Sequence, residues 1–267
     1  MTAVPIPLLQ IDAFTSEAFR GNPAGVCLLT APATERWMQS VAAEMNLAET
    51  AFVVADRNAF GLRWFTPTVE VDLCGHATLA AAHALWETGR LGRDTVARFD
   101  TKSGRLSASP AGDWIELDFP STPADSAPTP SGMLEALGVT TPVHVGLSKF
   151  DYLVEVSDEH IVRCLTPDFA SLRSLEARGV MVTSRSSAPD VDFVSRFFAP
   201  GSGIDEDPVT GSAHCCLAPY WSAKLGKSEF VAHQLSARGG VVRLRLEGDR
   251  VKLLGQAVTV FRGELLV

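Results

Sequence analysis

Along most of the chain apolar and polar residues alternate with a period of two, and only a few stretches break into helical spacing. Pro5 to Phe14 alternates and predicts a strand. Phe19-Arg20-Gly21-Asn22-Pro23-Ala24-Gly25 is a turn cluster, after which Val26 to Leu29 resumes a strand, so the pair reads as a hairpin with an elaborate tip. Trp37, Val41, Met45 and Leu47 fall at helical spacing across Thr34 to Asn46, with Thr34 placed to cap the helix. Glu49 to Val54 and Phe60 to Phe65 read as strands, the second broken by Pro67. Ala97 to Lys102, Arg105 to Ser109 and Trp114 to Phe119 are short strands separated by Gly/Asp turns. Further on, strands are predicted at Pro142 to His144, Tyr152 to Val156, Val180 to Thr183, Asp192 to Phe198, Gly240 to Leu246, Arg250 to Leu254 and Ala257 to Leu266. A helix is predicted at Phe169 to Arg178.

Two stretches are apolar at nearly every position, Val71 to Trp86 and Gly211 to Trp221. A helix with no polar face is buried on most sides, and the alanines here let strands approach closely. The surroundings of these two stretches recur. Arg63-Trp64-Phe65-Thr66-Pro67 leads through Glu70 and Asp72 to Cys74-Gly75-His76-Ala77; Arg196-Phe197-Phe198-Ala199-Pro200 leads through Asp205 and Asp207 to Thr210-Gly211-Ser212-Ala213. Gly75 and Gly211 are 136 residues apart, and the same offset aligns Ser103-Gly104 with Gly239-Gly240 and Gly112-Asp113 with Gly248-Asp249. One shift that aligns three separate stretches predicts a duplicated unit. The expected fold class is α+β: two pseudo-symmetric halves, each a barrel-like sheet rolled around a central apolar helix. The halves are placed at residues 1–122 and 131–267, with the Pro/Ser/Thr-rich 123–130 as linker and the C-terminal strand available to the first half.

Composition narrows the partners. The 267 residues are 46% hydrophobic and 20% charged, which is globular and enough for two cores. A net charge of −8 argues against nucleic acid or an anionic membrane surface. No apolar run spans a membrane, and Met1 to Gln10 has no basic leader region, so a cytoplasmic location is expected. Five cysteines without C-x-x-C spacing fit a reducing compartment. The histidines show no ligand spacing with carboxylates, and neither a metal nor another cofactor is expected. Cys215 and Cys216 read as small core residues.

The candidate chemistry gathers at the starts of the two apolar helices. Ser202 to His214 reads as an acidic loop running into a helix, with Pro208 at or near its first turn. The free N–H groups of Gly211, Ser212 and Ala213 suit an anion. If the two units face each other, both helix starts reach one cleft, and opposed N–H groups there would hold a carboxylate. Each candidate also has a plainer reading. His76 is a polar helix cap, Asp207 a carboxylate stabilising a helix dipole, Asn22 a turn former with a left-handed backbone. Glu49, at the junction of helix and strand, is either a solvated carboxylate or a general acid/base tuned by partial burial.

Four stretches, G-N-P-A-G, N-L-A-E-T-A-F, F-T-P-T-x-E-x-D-L-C-G-H-A-T and G-I-D-E-D-P-V-T-G-S-A-H, resemble the PhzF phenazine-biosynthesis-like family, which has the diaminopimelate-epimerase-like fold. The resemblance runs from residue 10 to the C-terminus, with the four motifs in family order. The resemblance implies a cofactor-independent isomerase of small cyclic carboxylates, a homodimer, with Glu49 as the general acid/base. It also implies that His76, Asp207 and Ser212 line the substrate pocket, with Asn22 at its wall and Gly75 and Gly211 opening the two helices. The sister epimerases carry a cysteine before each of those glycines. Here Cys74 precedes Gly75 but Thr210 precedes Gly211, and a threonine hydroxyl is far too weak an acid for a two-thiol mechanism. A one-sided, Cys74-dependent epimerase or dehydratase of an amino or imino acid is the rival reading. A non-catalytic protein that kept the pocket is the third.

Overall fold

The structure, a computed structural model, describes residues 5–266. Met1 to Val4, part of the stretch read for a leader, lie outside the described residues, as does Val267. It is a mixed α/β fold dominated by strands, with few helices. The chain separates into two compact units. The first takes the residues up to Asp118 together with those from Leu254 onward; the second is Phe119–Leu253.

In the first unit β1 (Ile6–Ala13) pairs antiparallel with β2 (Asn22–Leu29), and β2 runs parallel to β3 (Glu49–Asp56). Between them α1 (Glu35–Met45) is capped by Thr34, whose hydroxyl accepts the Trp37 amide, and ends at Asn46 in the left-handed region, as the pattern predicts. From β3 the chain turns back along β4 (Ala59–Phe65), then adds the two-residue β5 (Glu70–Val71) opposite Phe65 and Trp64. The apolar stretch predicted as a helix from Val71 therefore starts later. Its first residues are held in that strand pair, and α2 spans Gly75–Glu87. β6 (Ala97–Thr101), β7 (Gly104–Ala111) and β8 (Trp114–Pro120) follow. The C-terminal strand, Ala257–Leu265, lies antiparallel along β1.

The hydrophobic pattern explains the layering. In α2 the side chains of Ala77, Leu79, Ala80, Ala81, Ala82 and Ala84 are wholly buried, against β1, β2 and β3. Small residues bring the strands close: a Cβ on Gly255 would stand 2.4 Å from Phe14 Cδ1 and 2.7 Å from Leu79 Cδ1. On the other face of the sheet α1 contributes Met38, Val41 and Ala42 to a second core with Phe52 and Phe65, whose rings meet edge to face.

The second unit shows the same order of pairings. β9 (Asp125–Ser126) pairs with β10 (His144–Leu147), which pairs antiparallel with β11 (Asp151–Glu155); β11 runs parallel to β12 (Gly179–Arg185). β12 turns back along β13 (Phe193–Ala199), which is flanked by β14 (Ile204–Asp207) and, in parallel, by β15 (Glu229–Gln234); β16 (Gly240–Glu247) returns along β15. β17 (Arg250–Gly255) contains the point where the chain passes back to the first unit. The helices are α3 (Met133–Leu137), α4 (Glu159–Cys164), α5 (Phe169–Leu172) and α6 (Gly211–Leu225). The first three pack Met133, Leu137, Val162 and Leu172 on one sheet face, while α6 is largely buried.

Several sequence expectations are corrected here. The stretch 123–130 is not a free linker: it contains β9 and belongs to the second unit, because Asp125 and Ser126 bond to β10. The C-terminal strand belongs to the first unit, as the sequence reading allowed, and β1 supplies its ladder. The helix predicted to reach Arg178 stops at Leu172, and the Arg178 amide bonds back to the Phe150 carbonyl. Two short helices, α3 and α4, and strand β15 carried too little periodicity to be read. The acidic stretch is a hairpin rather than a loop, and Pro208 sits before the N-cap Thr210 rather than in the first helical turn.

Candidate active site

Asn22 opens β2 in an extended conformation, not as the left-handed turn residue of its plainer reading. Gly21 takes that backbone, at φ 63°; a Cβ there would lie 2.1 Å from the Ala13 carbonyl oxygen, which excludes other residues. The turn thus leaves Asn22 fully buried, its side chain directed at α2. Glu49 is the first residue of β3 and pairs with Ala24 of β2, two residues beyond Asn22. Cys74 is the N-cap of α2 and does not cap it with its side chain, while His76 lies in the first turn.

These four side chains form one cluster. The Asn22 amide nitrogen is 3.2 Å from His76 Nδ1, and Cys74 Sγ is 3.5 Å from the same nitrogen. His76 Nε2 is 3.2 Å from Glu49 Oε2; the directions fall short of a full hydrogen bond, so this is a close polar contact. Both side chains are nearly buried, at 6% and 12% exposure. An amide nitrogen only donates, so Nδ1 accepts and Nε2 carries the ring proton, facing Glu49. Burial holds the His76 pKa down at about 3. Desolvation thus outweighs the neighbouring carboxylate, and the imidazole is neutral at pH 7. Glu49 meets an N–H dipole, not a fixed positive charge. A carboxylate in that setting can accept and return a proton without being locked into an ion pair.

The second-unit candidates form their own networks. The three carboxylates of β14 go to different partners. Asp205 reaches toward Arg173 at 3.5 Å, Glu206 is bidentate to Arg196 at 2.7 and 2.8 Å, and Asp207 accepts the Thr210 hydroxyl at 2.5 Å. Gln234 binds both ends of this turn, accepting the Thr210 amide at 2.9 Å and donating to the Asp207 carbonyl at 2.7 Å. Ser212, next to Gly211 in the first turn of α6, accepts from Arg178 Nη2 at 2.9 Å. The same guanidinium grips the buried Asp151 through two hydrogen bonds and lies over the Phe150 and Phe197 rings. Sequence reasoning missed Arg178, Asp151 and Gln234. None sits in a motif, and each reaches its partner across more than twenty positions.

An arrangement unread in the sequence links strand to helix in each unit. Arg63 is bidentate to Glu70 at 2.7 and 2.6 Å and lies over Phe65, as Arg196 is to Glu206 over Phe198. Each pair pins the short strand that feeds its apolar helix.

The chain matches the family described as phenazine biosynthesis-like protein (PhzC-PhzF) over residues 11–263 and belongs to it. It is 53% identical over 262 residues to an uncharacterized isomerase of Halalkalibacterium halodurans, covering 98% of each chain. A crystal structure of a PhzF-family phenazine biosynthesis protein from Enterococcus faecalis superposes with a TM-score of 0.93 at 40% identity, covering 98% of this chain and 99% of that one. A hydroxyproline epimerase of Agrobacterium vitis shares the fold, with a TM-score of 0.65 at 11% identity over 98% of this chain and 92% of that one. The protein is an isomerase of the PhzF family, with an epimerase-like fold.

Proposed function

We propose that the reaction is a proton shift between carbons of a small cyclic carboxylate, such as a dihydro-hydroxyanthranilate-like compound, with Glu49 as the general acid/base. The observation that carries this reading is the nearly buried Glu49 carboxylate 3.2 Å from a neutral His76. His76 keeps one N–H directed at the carboxylate and supports it when it is charged. Asp207, Gly211 and Ser212 are assigned to orienting the substrate. Thr210 makes no side-chain cap at the start of α6, and the Arg178 guanidinium beside Ser212 adds a positive charge; both favour a carboxylate. The recurring strand pairings and the paired Arg63–Glu70 and Arg196–Glu206 bridges support two copies of one barrel-like unit.

The test is proton exchange from deuterated water into a panel of cyclic amino and carboxylic acids. Glu49→Gln should lower exchange by about 10²- to 10⁴-fold while leaving the fold intact. Undiminished exchange in that variant removes Glu49 from the mechanism.

One contact favours a second reading. Cys74 Sγ lies 3.5 Å from His76 Nδ1 at the N-terminus of α2, where the helix end favours a thiolate. In an amino or imino acid epimerase or dehydratase Cys74 would then be the base, and Cys74→Ser would abolish activity that Glu49→Gln spares.

A further inference from the structure

The donor atoms of Glu49, Cys74 and His76 all lie within 4.8 Å of one another. The spacing in sequence hides this, since Glu49 enters from β3 and the other two from the start of α2. A carboxylate oxygen, a thiol sulfur and an imidazole nitrogen are the three donor types that tetrahedral zinc uses. With metal–ligand bonds of about 2.0 to 2.3 Å, ligand atoms in such a site stand roughly 3.3 to 3.8 Å apart. The measured 3.2 Å from Glu49 to His76 and 3.5 Å from Cys74 to His76 are on that scale, although they involve opposite ring nitrogens. Closing the set on one ring nitrogen means drawing the donors in from within 4.8 Å to that spacing.

We propose that these three side chains form a site for a thiophilic divalent cation, with zinc as the first choice, and that its occupancy switches the acid/base cluster off. The charge balance favours it. A divalent ion with one carboxylate, one thiolate and a neutral imidazole makes a site of zero net charge, the form that a buried environment tolerates best. On binding, the Cys74 sulfur–hydrogen bond breaks, its electron pair forms the sulfur–metal bond, and one proton leaves to solvent. Glu49 gives an oxygen lone pair, and the imidazole gives one nitrogen lone pair. With the metal on Nε2 the ring proton sits on Nδ1, and Asn22, 3.2 Å away, turns its amide so that its oxygen accepts that proton. A fourth position stays open to water or an anionic ligand. The predicted inhibition rests on the proposed role of Glu49; the binding does not.

Cobalt(II) reports the site directly, because thiolate ligation gives a near-ultraviolet charge-transfer band. The probe is cobalt(II) added to the reduced, chelator-washed full chain. His160 and Cys164 form an exposed pair, with sulfur 3.6 Å from the ring, and are the competing site. The titration is therefore run in the Cys164→Ser background. One equivalent should bind with the thiolate band and release one proton, read by calorimetry in two buffers, and zinc should displace the cobalt with no further proton release. Cys74→Ser should remove the band, and Glu49→Gln should weaken binding by at least about 100-fold. Absence of the band in the Cys164→Ser protein, or its persistence after Cys74→Ser, overturns the proposal. Proton exchange measured on the same metal-free preparations judges the Glu49 mechanism separately.

Discussion

The Asn22 amide nitrogen stands 3.2 Å from His76 Nδ1, and that contact decides which ring nitrogen faces Glu49. With Asn22 donating, His76 presents N–H to the carboxylate. Asn22→Asp offers only acceptors when ionised, so the proton moves to Nδ1 and the Nε2 lone pair confronts Glu49. The expected outcome is a histidine tautomer change in nitrogen NMR and a larger loss of proton exchange than in Asn22→Ala. Equal losses, with no tautomer change, would reduce Asn22 to a packing residue.

Stability should fall on mild acidification. Burial holds His76 at a pKa of about 3 and His214 at about 4; for His214 the bond to the Thr210 carbonyl opposes burial without overcoming it. Both folded values lie below the unfolded 6.5, so the unfolded chain binds protons first. Their contribution is complete above pH 6.5 and is lost as pH falls toward 4. Each histidine adds a slope of about 1.4 kcal/mol per pH unit in that window. Denaturant titrations from pH 7 to 4 should show the decline, and His214→Gln should make it shallower.

Thiol chemistry should separate the cysteines. Among the described residues Cys164 is exposed, while burial pushes Cys27, Cys215 and Cys216 up to about 12. A disulfide reagent on the native protein should modify Cys164 rapidly and those three only on unfolding. Cys164→Ser should remove the fast phase. Any alkylation test of Cys74 needs that background, since otherwise the signal reports Cys164.

The two arginine bridges should differ in strength. Arg196 is 11% and Glu206 18% exposed, against 31% for Arg63 and 9% for Glu70, which is also contacted by Lys102. Double-mutant cycles with Arg→Met and Glu→Gln should give couplings of about 1 to 3 kcal/mol at 196/206 and less at 63/70, where solvent screens the arginine. A coupling near zero at both would mean that β5 and β14 are held by backbone bonds alone.

Most strands, the cap at Thr34 and the two apolar helices were legible because their signals are local. A period of two or 3.6 survives whatever the chain packs against, and the positions of Gly75 and Gly211 mark where each helix opens. The duplicated offset was legible for the same reason. What failed locally had weak patterns or depended on distant partners: the helix ends, the short β14, and β9 within a Pro-rich stretch.

Residue order alone determined the family motifs, the alternation that builds the sheets, and the identity of the candidate groups. Only the tertiary structure decided that Asn22, Glu49, Cys74 and His76 meet, because the parallel register of β2 and β3 and the start of α2 bring together positions up to 54 apart. It also decided their protonation. A histidine has no fixed charge in sequence; burial, a property of the packed fold, makes His76 neutral and leaves Glu49 beside a dipole.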